Sequence, residues 1–212
     1  MFRVFYVFML ACCLLTSPVY AGEKEDLNLG VQAVQNKDAE TAKRVLEPLA
    51  KKENAVAQFQ LGILYADGRG VPQNPDIAAK YFRAAADSGY APAQSSMGIM
   101  SAFGKGVPQS DVEAAKWFRK AAEQGYGNAQ ASLGLSYEDG LGVPKNNDEA
   151  VKWYRKAAMQ GVPEGQYSLA LMYLKGLGLP KNPVKARAWL EKAAKQGYGP
   201  AKILLSNGMK LS

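Results

Sequence analysis

A glycine-x-glycine-x-proline string recurs every 36 residues, and that period constrains the fold more than any other feature of the chain. The stretch "YADGRGVPQN" at Tyr65–Asn74 is followed in register by "SAFGKGVPQS", "YEDGLGVPKN" and "YLKGLGLPKN". The first glycine falls at Gly68, Gly104, Gly140 and Gly176, the second at Gly70, Gly106, Gly142 and Gly178. Proline follows at Pro72, Pro108, Pro144 and Pro180. Upstream of the glycines, Ala57, Leu61, Gly62 and Tyr65 are echoed by Ala93, Met97, Gly98 and Ser101, then by Ala129, Leu133, Gly134 and Tyr137. That spacing occupies one helical face. Downstream, Ala78, Tyr81, Phe82 and Ala85 are matched by Ala114, Trp117, Phe118 and Ala121 and by two further copies, an amphipathic stripe with helical period. Gly89, Gly125, Gly161 and Gly197 stand where a left-handed residue ends a helix at low cost.

Each unit therefore reads as helix, glycine–proline turn, helix, glycine. One helical pair cannot bury both of its apolar stripes, so neighbours must stack. The expected fold is all-α, a right-handed α-solenoid of stacked antiparallel helix pairs. The units are 54–89, 90–125, 126–161 and 162–197, after a degenerate leading repeat over 22–53 and before a capping helix over 198–212. Pro48 is expected to kink the second helix of the leading repeat or to distort its hydrogen bonding.

The glycine pair also resembles a phosphate cradle superficially. Such a cradle needs backbone amides converging at a helix N-terminus, commonly after a strand and with a Lys-Ser or Lys-Thr pair. Here the glycines follow a helix, and Arg69 is replaced by Lys105, Leu141 and Leu177 in the copies. The string is the joint of a repeat.

The segments "AQFQLGILYADGRGVPQN" and "AVKWYRKAAMQG" resemble the Sel-one-like repeats, relatives of the tetratricopeptide repeats with a longer turn, and the resemblance covers nearly all of 54–202. It implies a scaffold whose first helices line a concave surface, used by different members for different partners. Exported bacterial members are associated with envelope assembly and with host-cell contact or entry. Cysteine-rich relatives have been described as binding or hydrolysing β-lactams. They carry a cysteine pair in each repeat, whereas Cys12 and Cys13 are the only cysteines here. The Ser-x-x-Lys and Lys-Thr-Gly arrangements of serine β-lactamases are also missing.

Arg3, an apolar run from Val4 to Leu15 and the string "TSPVYAGE" read as a secretory signal cut after Ala21, so the expected location is periplasmic or secreted. Two alternatives are an uncleaved N-terminal anchor and a lipoprotein anchored at Cys12. A chain cut after Ala21 holds no cysteine, and the sequence has no histidine at all. That removes imidazole bases, His-based triads, thiol nucleophiles and His/Cys zinc sites. No catalytic residue, cofactor or metal is expected.

Within an internal repeat, positions shared by all copies serve stacking, and positions that differ are free to specialise. By that test Trp117, Trp153 and Trp189, with Tyr81 in the first copy, are core; a row of carbohydrate-stacking tryptophans is the competing reading. Gln58, Gln94, Gln130 and Gln166 are read as inter-repeat hydrogen-bond formers. The variable arc of the first helices supplies the candidate partner contacts: Phe59, Gln60, Asp67, Ser95, Phe103, Glu138, Asp139, Tyr167, Leu174 and Lys175. The aromatic residues among them are the expected anchors.

The net charge of +7 is concentrated at one end. Residues 165–212 hold Lys175, Lys181, Lys185, Arg187, Lys192, Lys195, Lys202 and Lys210 against Glu191 alone. That end is either the solvated face of a capping repeat or a contact for anionic lipid, glycan or protein. The combined reading is a non-enzymatic, monomeric, exported scaffold that holds a partner protein or peptide, without nucleic acid. A β-lactam-binding protein and a basic envelope adaptor are the alternatives.

Overall fold

A computed structural model describes residues 18–210. The reading of 1–17 as part of a signal, with Cys12 and Cys13, lies outside the described residues, as do the last two positions. Among the described residues every regular element is a helix. None is long and apolar enough to cross a membrane. The chain divides into two compact units, one ending at Ser88 and the other starting at Gly89.

The first unit holds α1 (Pro18–Gln35), α2 (Ala39–Lys51), α3 (Ala55–Asp67) and α4 (Pro75–Asp87). Consecutive helices pack against one another, and α1 also meets α3. Val34, Ala42, Leu46, Leu49, Leu61 and Leu64 form one core, with Val71 of the joint packed against it. Pro48 does not end α2, which continues to Lys51 and keeps Leu49 and Ala50 buried in register. The missing N–H of Pro48 leaves the Arg44 carbonyl without its i+4 donor, the distortion of the ladder expected of a proline there.

The second unit holds α5 (Ala91–Phe103), α6 (Asp111–Glu123), α7 (Gly127–Asp139), α8 (Asn147–Met159), α9 (Pro163–Lys175), α10 (Pro183–Lys195) and α11 (Gly199–Ser206). Each helix packs on the next, and α7 also meets α9. Its core runs through clusters around Phe118 and Leu133, around Tyr154 and Leu169, and around Leu190 and Leu204.

Local chemistry explains why the helices stop and start where they do. Gly68, Gly104, Gly140 and Gly176 cap the first helices in the left-handed region. Their partners Gly70, Gly106, Gly142 and Gly178 also have positive φ. Each second helix begins under a side-chain cap, Asn74 accepting from the Ile77 N–H at 3.0 Å and Asn182 from the Lys185 N–H at 2.9 Å. The cap residue's own N–H closes the joint on the preceding helix. Asn74 bonds the Tyr65 carbonyl at 2.9 Å, and Asn146 and Asn182 bond Tyr137 and Tyr173 at 2.8 Å. The first amides of each joint and the amide of the cap residue are thus committed within the chain.

The mid-helix glycines have a specific neighbour. A Cβ on Gly62, Gly98 or Gly134 would lie 2.5–2.6 Å from the ring of Phe82, Phe118 or Tyr154 on the second helix of the same pair. Where Leu190 replaces the ring, Ala170 replaces the glycine, and both are fully buried. The close approach is that of an aromatic side chain to a helix backbone.

The repeated glutamines tie helices together as expected. Gln130 Nε2 donates to the Ala122 carbonyl at 3.2 Å, and its Oε1 accepts from Gln160 Nε2 at 2.8 Å. Gln166 repeats this with Ala158 and with Gln196, 3.0 Å away. Trp117 and Trp153 are each 5% exposed, which leaves no platform for a sugar, and Trp189 is half-buried. Lysines one turn on cover all three rings, Lys120, Lys156 and Lys192 lying 4.3, 4.1 and 4.1 Å from the centroids.

Candidate partner-binding face

The first helices of the second unit leave two clefts between them. One, of about 410 Å³, is lined by Asn128, Ser132 and Leu135 of α7, by Glu164 and Ser168 of α9, and by Tyr154 and Tyr198. The next, of about 460 Å³, lies between α9 and α11 and is lined by Tyr167, Leu171, Lys175, Ile203 and Lys210 among others. Leu135 and Leu171 occupy the same repeat position, so one face of the array is defined twice.

Several sequence candidates sit there or beside it. Tyr167 and Lys175 line the second cleft, and Tyr167 tilts against Tyr198 with ring centroids 5.5 Å apart. Phe103 at the end of α5 is 68% exposed, with Lys105 5.8 Å from its ring centre. Asp139 is exposed, and Glu138 is half-buried and engaged with Tyr154. In the first unit, Phe59 is half-buried against Phe82 with centroids 5.5 Å apart, Gln60 is half-buried, and Asp67 is exposed and paired with Arg69 at 2.7 Å.

Two candidates need correction. Ser95 is 5% exposed and Leu174 is 7% exposed, the latter inside the core cluster with Leu190 and Leu204. Ser95 shares its repeat position with the half-buried Phe59 and Tyr167, and Leu174 with the half-buried Glu138, so the side chain each copy carries decides how deep that position lies. The sequence reading also missed two residues. Ile99 and Leu135, each 46% exposed, share a repeat position with Ile63 and Leu171. A position aliphatic in every copy looks like core. In two copies it does pack on the core, Ile63 and Leu171 being partly buried against it, so recurrence alone carried no signal of exposure.

Tyr154 sets the floor of the first cleft. It is 1% exposed, and its hydroxyl donates to Glu138 Oε2 at 2.7 Å. Burial pushes its phenol well above the ordinary tyrosine value, and the bond to Glu138 pushes it further. Because the folded value is raised, this contribution to stability is intact below the unfolded value of 10.0 and is lost as pH rises toward the folded one. Tyr154→Phe is expected to flatten the fall of the urea midpoint between about pH 9.5 and 11.5. An unchanged slope in that variant would show that Tyr154 ionises as it does in the unfolded chain.

The comparisons with known proteins agree with this architecture. The Sel1 repeat family model matches residues 55–90, 91–126, 127–162 and 163–198. The crystal structure of a Sel1 repeat protein from Oxalobacter formigenes superimposes with a TM-score of 0.78 at 34% identity, over 88% of this chain and 76% of that one. The c5321 protein, described as a protective antigen present in uropathogenic Escherichia coli strains and displaying an SLR fold, gives 0.76 at 33% identity. That match covers 90% of this chain but only 42% of c5321. No curated protein matches the sequence. Four matched repeats and two structural neighbours of that fold place this chain in the Sel1 repeat family, whose members are generally protein-binding scaffolds.

Proposed function

We propose that the protein is an exported, non-enzymatic scaffold that holds an extended segment of a partner protein across the first helices of its second unit. The observation that carries this reading is the exposed apolar set on that face. Ile99, Leu135 and Phe103 stand in solvent at 46%, 46% and 68% exposure, and Leu135 lines a cleft that offers the hydroxyls of Ser132 and Ser168 and the carboxylate of Glu164. Aliphatic and aromatic side chains supply burial energy to a bound chain, and the polar cleft lining supplies direction. The likeness to a protective antigen supports an exported setting, since an antigen that protects is met outside the bacterial cytoplasm.

The test uses random peptides displayed on phage and selected on the purified chain. Ile99→Ala, Leu135→Ala and Phe103→Ala together should weaken selected peptides by about thirtyfold, the loss of roughly 2 kcal/mol of hot-spot energy. Helical content and melting temperature should hold, because the three side chains are already exposed. Undiminished binding by the folded triple variant would remove this face from consideration.

A second reading is favoured by Lys175 and Lys210 in the cleft between α9 and α11. An anionic envelope surface bound there would be released between low and physiological salt, because exposed charges are screened beyond about 8 Å. Salt-insensitive peptide binding favours the first reading.

A further inference from the structure

The first repeat lacks a group that the other repeats supply to themselves. In the second to fourth repeats the buried glutamine carbonyl accepts from an amide thirty residues on: Gln124 to Gln94 at 2.7 Å, Gln160 to Gln130 at 2.8 Å, Gln196 to Gln166 at 3.0 Å. Gln58 keeps the other half of the pattern, its Nε2 donating to the Ala50 carbonyl at 3.2 Å. The position that should complete it is Ser88, whose short hydroxyl turns back onto the Ala84 carbonyl at 3.1 Å. Gln58 is 7% exposed, and its Oε1 is buried with no hydrogen-bond partner. A buried acceptor left unmade is costly, and such atoms are rare in native proteins.

Beside that acceptor lies a cleft of about 420 Å³ between α2, α3 and α4. Glu47, Lys51, Gln58, Lys80, Tyr81 and Ala84 line it. Neither Lys51 nor Lys80 makes an ion pair among the described residues.

We infer that this cleft is a binding site for a primary carboxamide, the side chain of a glutamine or asparagine of a bound polypeptide, which replaces the amide that Ser88 does not provide. The three intact repeats show which group the acceptor takes. The carboxamide N–H₂ donates to Gln58 Oε1, and its carbonyl oxygen accepts from the ammonium of Lys51 or Lys80. A carboxylate would set a second acceptor against Oε1, and an ammonium would face two lysines. The site belongs to the first unit and is independent of the face proposed above.

The experiment follows the Gln58 side-chain amide by NMR in the full ¹⁵N-labelled chain, titrated with N-acetylglutamine N-methylamide. N-acetylglutamate N-methylamide at matched ionic strength is the control. The glutamine compound should give a saturable shift, with the glutamate compound at least about tenfold weaker, the equivalent of one hydrogen bond. Ser88→Gln should fill the site from within, abolishing that shift and raising Tm by about 2–4 °C. Ser88→Ala should leave binding intact. No saturable shift, equal affinity for the glutamate compound, or binding retained in Ser88→Gln would each overturn the site. A Ser88→Gln chain with raised Tm beside a wild type that ignores the glutamine compound would mean that water alone serves the acceptor, and would overturn it equally.

Discussion

Gly142→Ala should destabilise the second unit by about 3 kcal/mol, while Gly161→Ala, at a residue of similar positive φ, should cost only about 1–2 kcal/mol. Gly142 has φ 69° and Gly161 φ 84°, so both substitutions carry the penalty of an L residue in the left-handed region. They differ in what the new methyl meets. At Gly161 nothing stands within 4 Å. At Gly142 the Cβ collides with the carbonyl of Asp111, the first residue of α6 in the preceding repeat. A backbone carbonyl cannot rotate away as a side chain can, so the start of α6 must move. Urea denaturation of both variants measures the difference, and faster amide exchange at the beginning of α6 should accompany Gly142→Ala alone. If the two variants lie within about 0.5 kcal/mol of each other, the joint is not pressed on its neighbour.

The second large effect is a compensation that the chain itself displays. Gly98→Ala places a methyl 2.5 Å from the Phe118 ring and should cost about 2 kcal/mol. That is a net value, since alanine gains about 0.5–1 kcal/mol over glycine in a helix interior. Phe118→Leu alone should cost about 1 kcal/mol through the space it opens. Together they should cost less than their sum by about 1–2 kcal/mol, because the methyl occupies the space the ring vacates. The wild-type Ala170–Leu190 pair is this combination, fully buried in the last repeat. Strict additivity would mean that the glycine serves something other than the ring.

These predictions separate what periodicity revealed from what it hid. The joints were legible because glycine reaches positive φ without strain and proline keeps the first helix from running on, and both glycines of each joint have positive φ. The burial of Trp117 and Trp153 was legible because every stacked pair needs the same apolar volume. Pro48 produces one of its two expected outcomes: α2 runs on to Lys51 with Leu46 and Leu49 buried, and its ladder lacks the bond that the proline nitrogen has no hydrogen to make. The candidate site was legible only in part. Phe103 and Lys175 stand exposed as the variable arc suggested, whereas Ser95 and Leu174 are buried.

The sequence by itself determined the helix pairs, their joints and the recurrent glutamine and aromatic positions, because those depend on spacing along one chain and on local backbone preference. The depth of each first-helix residue was decided by tertiary structure, since it depends on how far the neighbouring helix reaches over it. That is why Ile99 and Leu135, recurrent like core residues, stand in solvent, and why Leu174, variable like a contact residue, does not. The orphaned oxygen of Gln58 is likewise a tertiary feature, since Ser88 holds the position from which glutamine meets the same acceptor in each of the next three repeats.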